Sequence, residues 1–174
     1  MRLPTKEPLL VLARHAEDAA HELKRFQNFI LKSTEIGDLI TLLYSISTAS
    51  KKLESLTVSR RYKYNYPRVK DDLSLVRQSL TYTLEKLLDF LRDVYPRWSE
   101  TLPDAFYRVF VDMSQYFCKE GNGYSLGYRL ETYRAFVCGL QYKMREYVSE
   151  FPFRGQLLGF PVSIVTYRFY LATL

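Results

Sequence analysis

The stretch LLVLARHAEDAAHELKRFQNFI, residues 9–30, decides the fold. Its apolar positions Leu9, Leu12, Ala16, Ala19, Leu23, Phe26 and Ile30 are spaced alternately three and four apart, with charged residues such as Arg14, Glu17, Asp18 and Glu22 between them. That rhythm keeps one stripe of an α-helix apolar, whereas a strand would need alternation by two. Pro8 suits a first helical turn, where a missing amide hydrogen is harmless.

The same rhythm returns further along the chain. Ile36, Leu39, Leu43, Ile46, Ala49, Leu53 and Leu56 form a second face, after the break at Ser33, Thr34 and Gly37. Val69, Leu73, Val76, Leu80, Leu84, Leu87, Leu91 and Val94 form a third, opened by Pro67 and closed by Pro96. Phe106, Val109, Phe110, Met113 and Phe117 mark a fourth, with Gly121 placed as its terminal left-handed residue. Ser125 caps a fifth that carries Leu126, Leu130, Tyr133, Val137, Leu140, Met144 and Tyr147, and Phe151-Pro152 ends it. The spacing predicts helices over 9–31, 35–57, 68–95, 103–119 and 125–149.

Amphipathic helices of matched length joined by short connections pack antiparallel. An all-α fold is therefore expected: an antiparallel bundle of about five amphipathic helices with coiled-coil-like heptad faces, occupying residues 1–150. The first two helices fold back as a hairpin on this reading, since a straight rod would leave its apolar face in water. Residues 151–174 read as a separate apolar C-terminal tail without acidic residues, in which 162–167 has the composition of an edge strand.

The formal net charge of +6 is not spread over the bundle. Residues 1–58 carry +1, 59–70 carry +5, 71–150 carry −2 and 151–174 carry +2. The excess is concentrated in one connection, which makes any electrostatic binding local. There Arg60, Arg61, Lys63, Arg68 and Lys70 interleave with Tyr62, Tyr64 and Tyr66, a pattern able to contact phosphates while rings stack on bases or settle among lipid headgroups. The same residues also suit a solvated linker tied to the bundle by its tyrosines.

Other chemistry is sparse. Cys118 and Cys138 stand alone, without a CxxC or clustered histidines, so neither a zinc framework nor a disulfide scaffold is encoded. His15 and His21 are six apart and lie on different sides of a helix. The glycines of residues 121–127 lack the spacing of a dinucleotide or phosphate loop and read as a helix-to-helix turn. Asp71 and Asp72 read as favourable charges near a helix N-terminus, not as catalytic carboxylates. The apolar run from Pro8 to Ala13 is too short and too soon charged for a secretory signal or a membrane span, so an intracellular, mainly cytoplasmic protein is expected.

Three stretches together resemble a helical domain of uncharacterised proteins from filamentous fungi. They are Ala19-Ala20 with Glu22-Leu23 and Arg25-Phe26, then Asp71-Asp72-Leu73 with Val76, Ser79-Leu80 and Tyr82-Thr83-Leu84, and finally Glu120-Gly121 with Ser125-Leu126, Arg129-Leu130-Glu131, Tyr133 and Phe136. The resemblance covers about residues 9–148 and implies a helical fold, with no activity or catalytic residue to carry over.

A non-enzymatic protein-interaction or scaffolding module is the expectation, with many tyrosines available to helix partners and a second copy of the chain among the candidates. No cofactor, metal or small-molecule substrate is expected. The alternative is binding to an anionic membrane surface or RNA through 59–70.

Overall fold

The computed structural model describes residues 8–27, 34–94 and 103–146, with side chains for all of these except 26, 27, 94 and 103–110. The described residues form five α-helices: α1 (Pro8–Gln27), α2 (Thr34–Val58), α3 (Tyr66–Val94), α4 (Pro103–Glu120) and α5 (Leu126–Glu146). No strand occurs among the described residues. The fold is an all-α bundle, and each helix boundary falls within four residues of the position that the heptad spacing predicts. The tail 151–174, together with Ile30, Pro96 and Tyr147, lies outside the described residues.

Where their side chains are described, the predicted apolar faces are buried. Leu12, Ala16 and Ala19 of α1, Leu43, Ile46 and Leu53 of α2, Val76, Leu80, Leu84 and Leu87 of α3, and Leu130 and Val137 of α5 are fully enclosed in a single core. The alanines on α1 bring its backbone close to α2. Ile40, Ser47, Ser50 and Glu54 are buried as well, so α2 has a wider buried face than its heptad row. The reason is that α2 packs against both α1 and α5.

The four long helices stand at the corners of a square whose edges are α1–α2, α2–α5, α5–α3 and α3–α1. α1 is about 30 Å long. Residues 28–33 can reach no more than about 25 Å, so α1 and α2 pack side by side only as an antiparallel hairpin. α3 and α5 are also antiparallel, since Asp72 meets Lys143 while Thr83 meets Arg129. α2 and α5 run in the same direction, with Leu39 near Gly127 and Ala49 bonded to Gln141. The bundle is thus two antiparallel hairpins laid together so that like-directed helices are neighbours.

Buried polar contacts hold the hairpins in register. The Gln141 amide donates to the Ala49 carbonyl at 2.7 Å, and the Asn65 amide donates to the Met144 carbonyl at 2.9 Å. Arg129 is only 2 % exposed and donates to Thr83 Oγ1 at 3.2 Å. Asp72 accepts from Lys143 at 3.2 Å and is itself 5 % exposed. This corrects the reading of Asp72 as a charge that favours a helix N-terminus: it is the seventh residue of α3 and faces α5. On the α1–α2 seam, Lys51 and Ser47 both donate to Glu17, which holds its carboxyl below the usual range.

α4 lies outside the square. Among its described side chains Met113 and Phe117 are buried, and Tyr116 stacks on Phe90 of α3 at 5.9 Å. The Tyr116 hydroxyl donates to Glu120 at 2.6 Å, a bond that pushes its pKa up to about 12. The turn into α5 departs by one residue from expectation. Gly123 N–H bonds to the Cys118 carbonyl, which closes a Schellman turn whose left-handed residue is Asn122, at φ 51°, and not Gly121. Gly121 is required for another reason: a Cβ there would sit 2.8 Å from Arg129 Cδ and from the Tyr124 carbonyl oxygen. Ser125 caps α5 as read, its hydroxyl accepting from Tyr128 N–H.

Candidate functional site

α2 and α3 occupy opposite corners, so the chain between them must cross the end of the bundle. With neighbouring axes about 10 Å apart the diagonal is about 14 Å, and the seven residues 59–65 cover it. They do so as a staircase of tight turns: Ser59 N–H bonds to Leu56 O, Tyr62 to Ser59 and Asn65 to Tyr62, leading through a 3-10 turn at Lys63–Asn65 into α3. Tyr62 and Tyr66 pack against the core, and buried Asn65 pins the last step to α5. Two of the three tyrosines anchor the connection, as a linker reading anticipates, but Tyr64 does not, and the connection is held by backbone hydrogen bonds at Ser59, Tyr62 and Asn65.

The staircase turns Arg60, Arg61, Lys63 and Tyr64 outward, and Tyr64 is 89 % exposed. Arg61 lies over the Tyr62 ring, 5.6 Å from its centre. Arg68 and Lys70 are also exposed, but they belong to α3, where two residues are about 200° apart around the axis. The five cations therefore do not form one patch. Arg60, Arg61 and Lys63 share the crossover, whereas Lys70 lies on the α3 face shared with Ser74 and Arg77, along a cleft beside Glu54.

A second surface has a different chemistry. The outward face of α5 carries Tyr128, Ala135, Cys138, Gly139 and Tyr142, all exposed or half-exposed. Tyr128 stacks on Tyr124 at 4.9 Å, and Tyr142 is 65 % exposed. The two ends of this face are separated by about 21 Å, and between them lie the small residues Ala135, Cys138 and Gly139, flanked by the Glu131–Arg134 ion pair. A Cβ at Gly139 would meet nothing within 4 Å, so neither packing nor backbone conformation within the bundle calls for glycine. In a helix interior glycine is about 1 kcal/mol less favourable than alanine. Sequence periodicity passed over this face because an outward row of small residues has no apolar rhythm.

Among the described residues no group of three or more His, Cys, Asp or Glu side chains is placed to hold a metal ion. No helix among them is long and apolar enough to cross a membrane. Compared with known proteins, the chain matches no family model, no curated protein and no solved structure.

Proposed function

We propose that the protein is a non-enzymatic protein-interaction module, and that its partner is an amphipathic helix laid across the outward face of α5. The observation that supports this is the shape of that face: small residues Ala135, Cys138 and Gly139 between the raised rings of Tyr128 and Tyr142. Helices approach to about 8 Å only where contact residues are small. Tyrosine rings supply large, rigid contact area with a hydrogen-bonding tip, which is why they concentrate at binding hot spots. The cost of Gly139 to its own helix is recovered on this reading by close approach of the partner.

The test compares partners captured from the native host by the parent chain, by an Ala135→Arg/Gly139→Arg variant and by an Arg60→Gln/Arg61→Gln/Lys63→Gln variant. A partner that binds the parent and the crossover variant directly, and is lost from the α5 variant with the melting temperature unchanged, is the expected result. Equal retention by all three would remove α5 from consideration.

A second reading rests on the backbone bonding of the crossover, which presents Arg60, Arg61 and Lys63 without a backbone ordering cost on binding. An RNA or an anionic membrane is the partner there. Its binding should fall steeply as salt rises through the range where the Debye length shrinks to about 10 Å, and the triple glutamine variant should abolish it. Salt-insensitive binding, or none, is the outcome expected if α5 is the functional face.

A further inference from the structure

At the crossover end of the bundle, the start of α1, the end of α2 and the first turns of α3 enclose a cleft of about 180 Å³. It is larger than the roughly 150 Å³ cavity that suffices to hold a benzene ring. Pro8, Leu9 and Leu73 give it apolar walls, and Glu54 closes it on the α2 side. Along its α3 wall stand Lys70, Ser74 and Arg77. These are spaced four and three apart, which places all three on one face of the helix with the serine between the cations.

The side chains of Lys70 and Arg77 make no ion pair or hydrogen bond with any described residue. Other cations that face a seam do: Lys51 is bonded to Glu17 and Lys143 to Asp72. Arg77 is half-buried beside apolar walls, where a guanidinium gains most from a planar oxyanion that fills its fork of donors. The Glu54 carboxylate, 7 % exposed in the opposite wall, sets an upper limit on the charge that the cleft tolerates.

We propose that this cleft binds a small oxyanion of one or two charges, a ligand carrying a phosphate or carboxylate group held between Lys70 and Arg77 with the Ser74 hydroxyl beneath it. The hydrocarbon part of such a ligand lies on Leu9 and Leu73. The Glu54 carboxylate in the opposite wall disfavours polyanions, which separates this site from the crossover cations. The site is independent of the α5 face and of any protein partner.

The experiment is calorimetric titration of the full chain with inorganic phosphate and, separately, with succinate, at low ionic strength. One saturable site in the millimolar range or tighter is expected for at least one probe. The probe that binds identifies the source of the oxyanion. Arg77→Gln and Lys70→Gln should each weaken binding tenfold or more, as loss of a charge-assisted bond does, and Arg77→Lys should restore part of it. Melting curves establish that each variant is folded, and the probe that binds should raise the melting temperature of the parent more than that of Arg77→Gln or Lys70→Gln. The Arg60→Gln/Arg61→Gln/Lys63→Gln variant should bind as the parent does. The proposal is overturned if neither probe saturates, if Arg77→Gln and Lys70→Gln bind like the parent, or if binding is lost with the crossover cations instead.

Discussion

Replacing Leu80 with aspartate is expected to abolish the cooperative thermal transition of the bundle. Leu80 lies in the middle of α3 and is 0 % exposed, inside the one core that all the helices share. The substitution removes a packed side chain, which alone costs about 2–5 kcal/mol. It also buries a carboxylate without a partner, worth several kcal/mol more. Against a total stability of about 5–15 kcal/mol, the sum leaves little or no folded population. Leu80→Ala separates the two contributions. It should fold and melt roughly 5–15 °C below the parent, given a shift of about 2–4 °C per kcal/mol for a chain of this size. Thermal melts followed by circular dichroism measure both, and an unchanged transition for Leu80→Asp would mean that the α3 face is wrongly assigned.

The second large effect is expected at Asp72, where the sequence suggests almost none. Asp72→Ala leaves Lys143 between α3 and α5 with no carboxylate to meet it, and the Lys143 side chain is only 24 % exposed. Breaking a fully buried pair from one side costs about 3–5 kcal/mol, and partial access of the lysine to water reduces this to about 2 kcal/mol. Changing both residues, to Leu and Met, should recover most of the loss. Glu85, which is exposed on the same helix, is the control, and its alanine variant should stay within about 0.5 kcal/mol of the parent. Urea denaturation at neutral pH reads all three, and equal midpoints for Asp72→Ala and Glu85→Ala would show that the pair contributes nothing.

That contrast marks the limit of what the chain discloses by itself. Rows such as Val69, Leu73, Val76 and Leu80 were legible because burial imposes the helical period on apolar residues. Asp72, Glu54 and Arg129 were not, because a charge inside a helix reads as solvated until its partner is known. The partners of Asp72 and Arg129 stand far away in sequence, at Lys143 and Thr83. The end of α4 was legible to within one residue, since Gly121 and Asn122 both tolerate a left-handed backbone and only the hydrogen bonds distinguish them. The basic connection was evident from composition. Its division between the crossover and the α3 cleft was hidden, because it depends on which way each cation turns from a helix axis and on which corner of the square that helix takes.

The diagonal crossover also bears on how the bundle forms and opens. Within the first hairpin, contacts join residues about thirty apart, such as Glu17 and Ser47. The seam between hairpins joins residues 92 apart at Ala49 and Gln141, and 79 apart at Asn65 and Met144. Closing longer loops costs more chain entropy, so the α1–α2 hairpin can form early and the inter-hairpin seam late. The α1–α2 hairpin is then a cooperative unit of its own, and the line along α2–α5 and α1–α3 divides it from the α3–α5 pair, whose own contacts join residues 71 and 46 apart. The crossover bridges that line, with Asn65 as its catch. Opening along it would swing the α3–α5 hairpin away on seven residues of hinge and bare the leucine core of both halves at once.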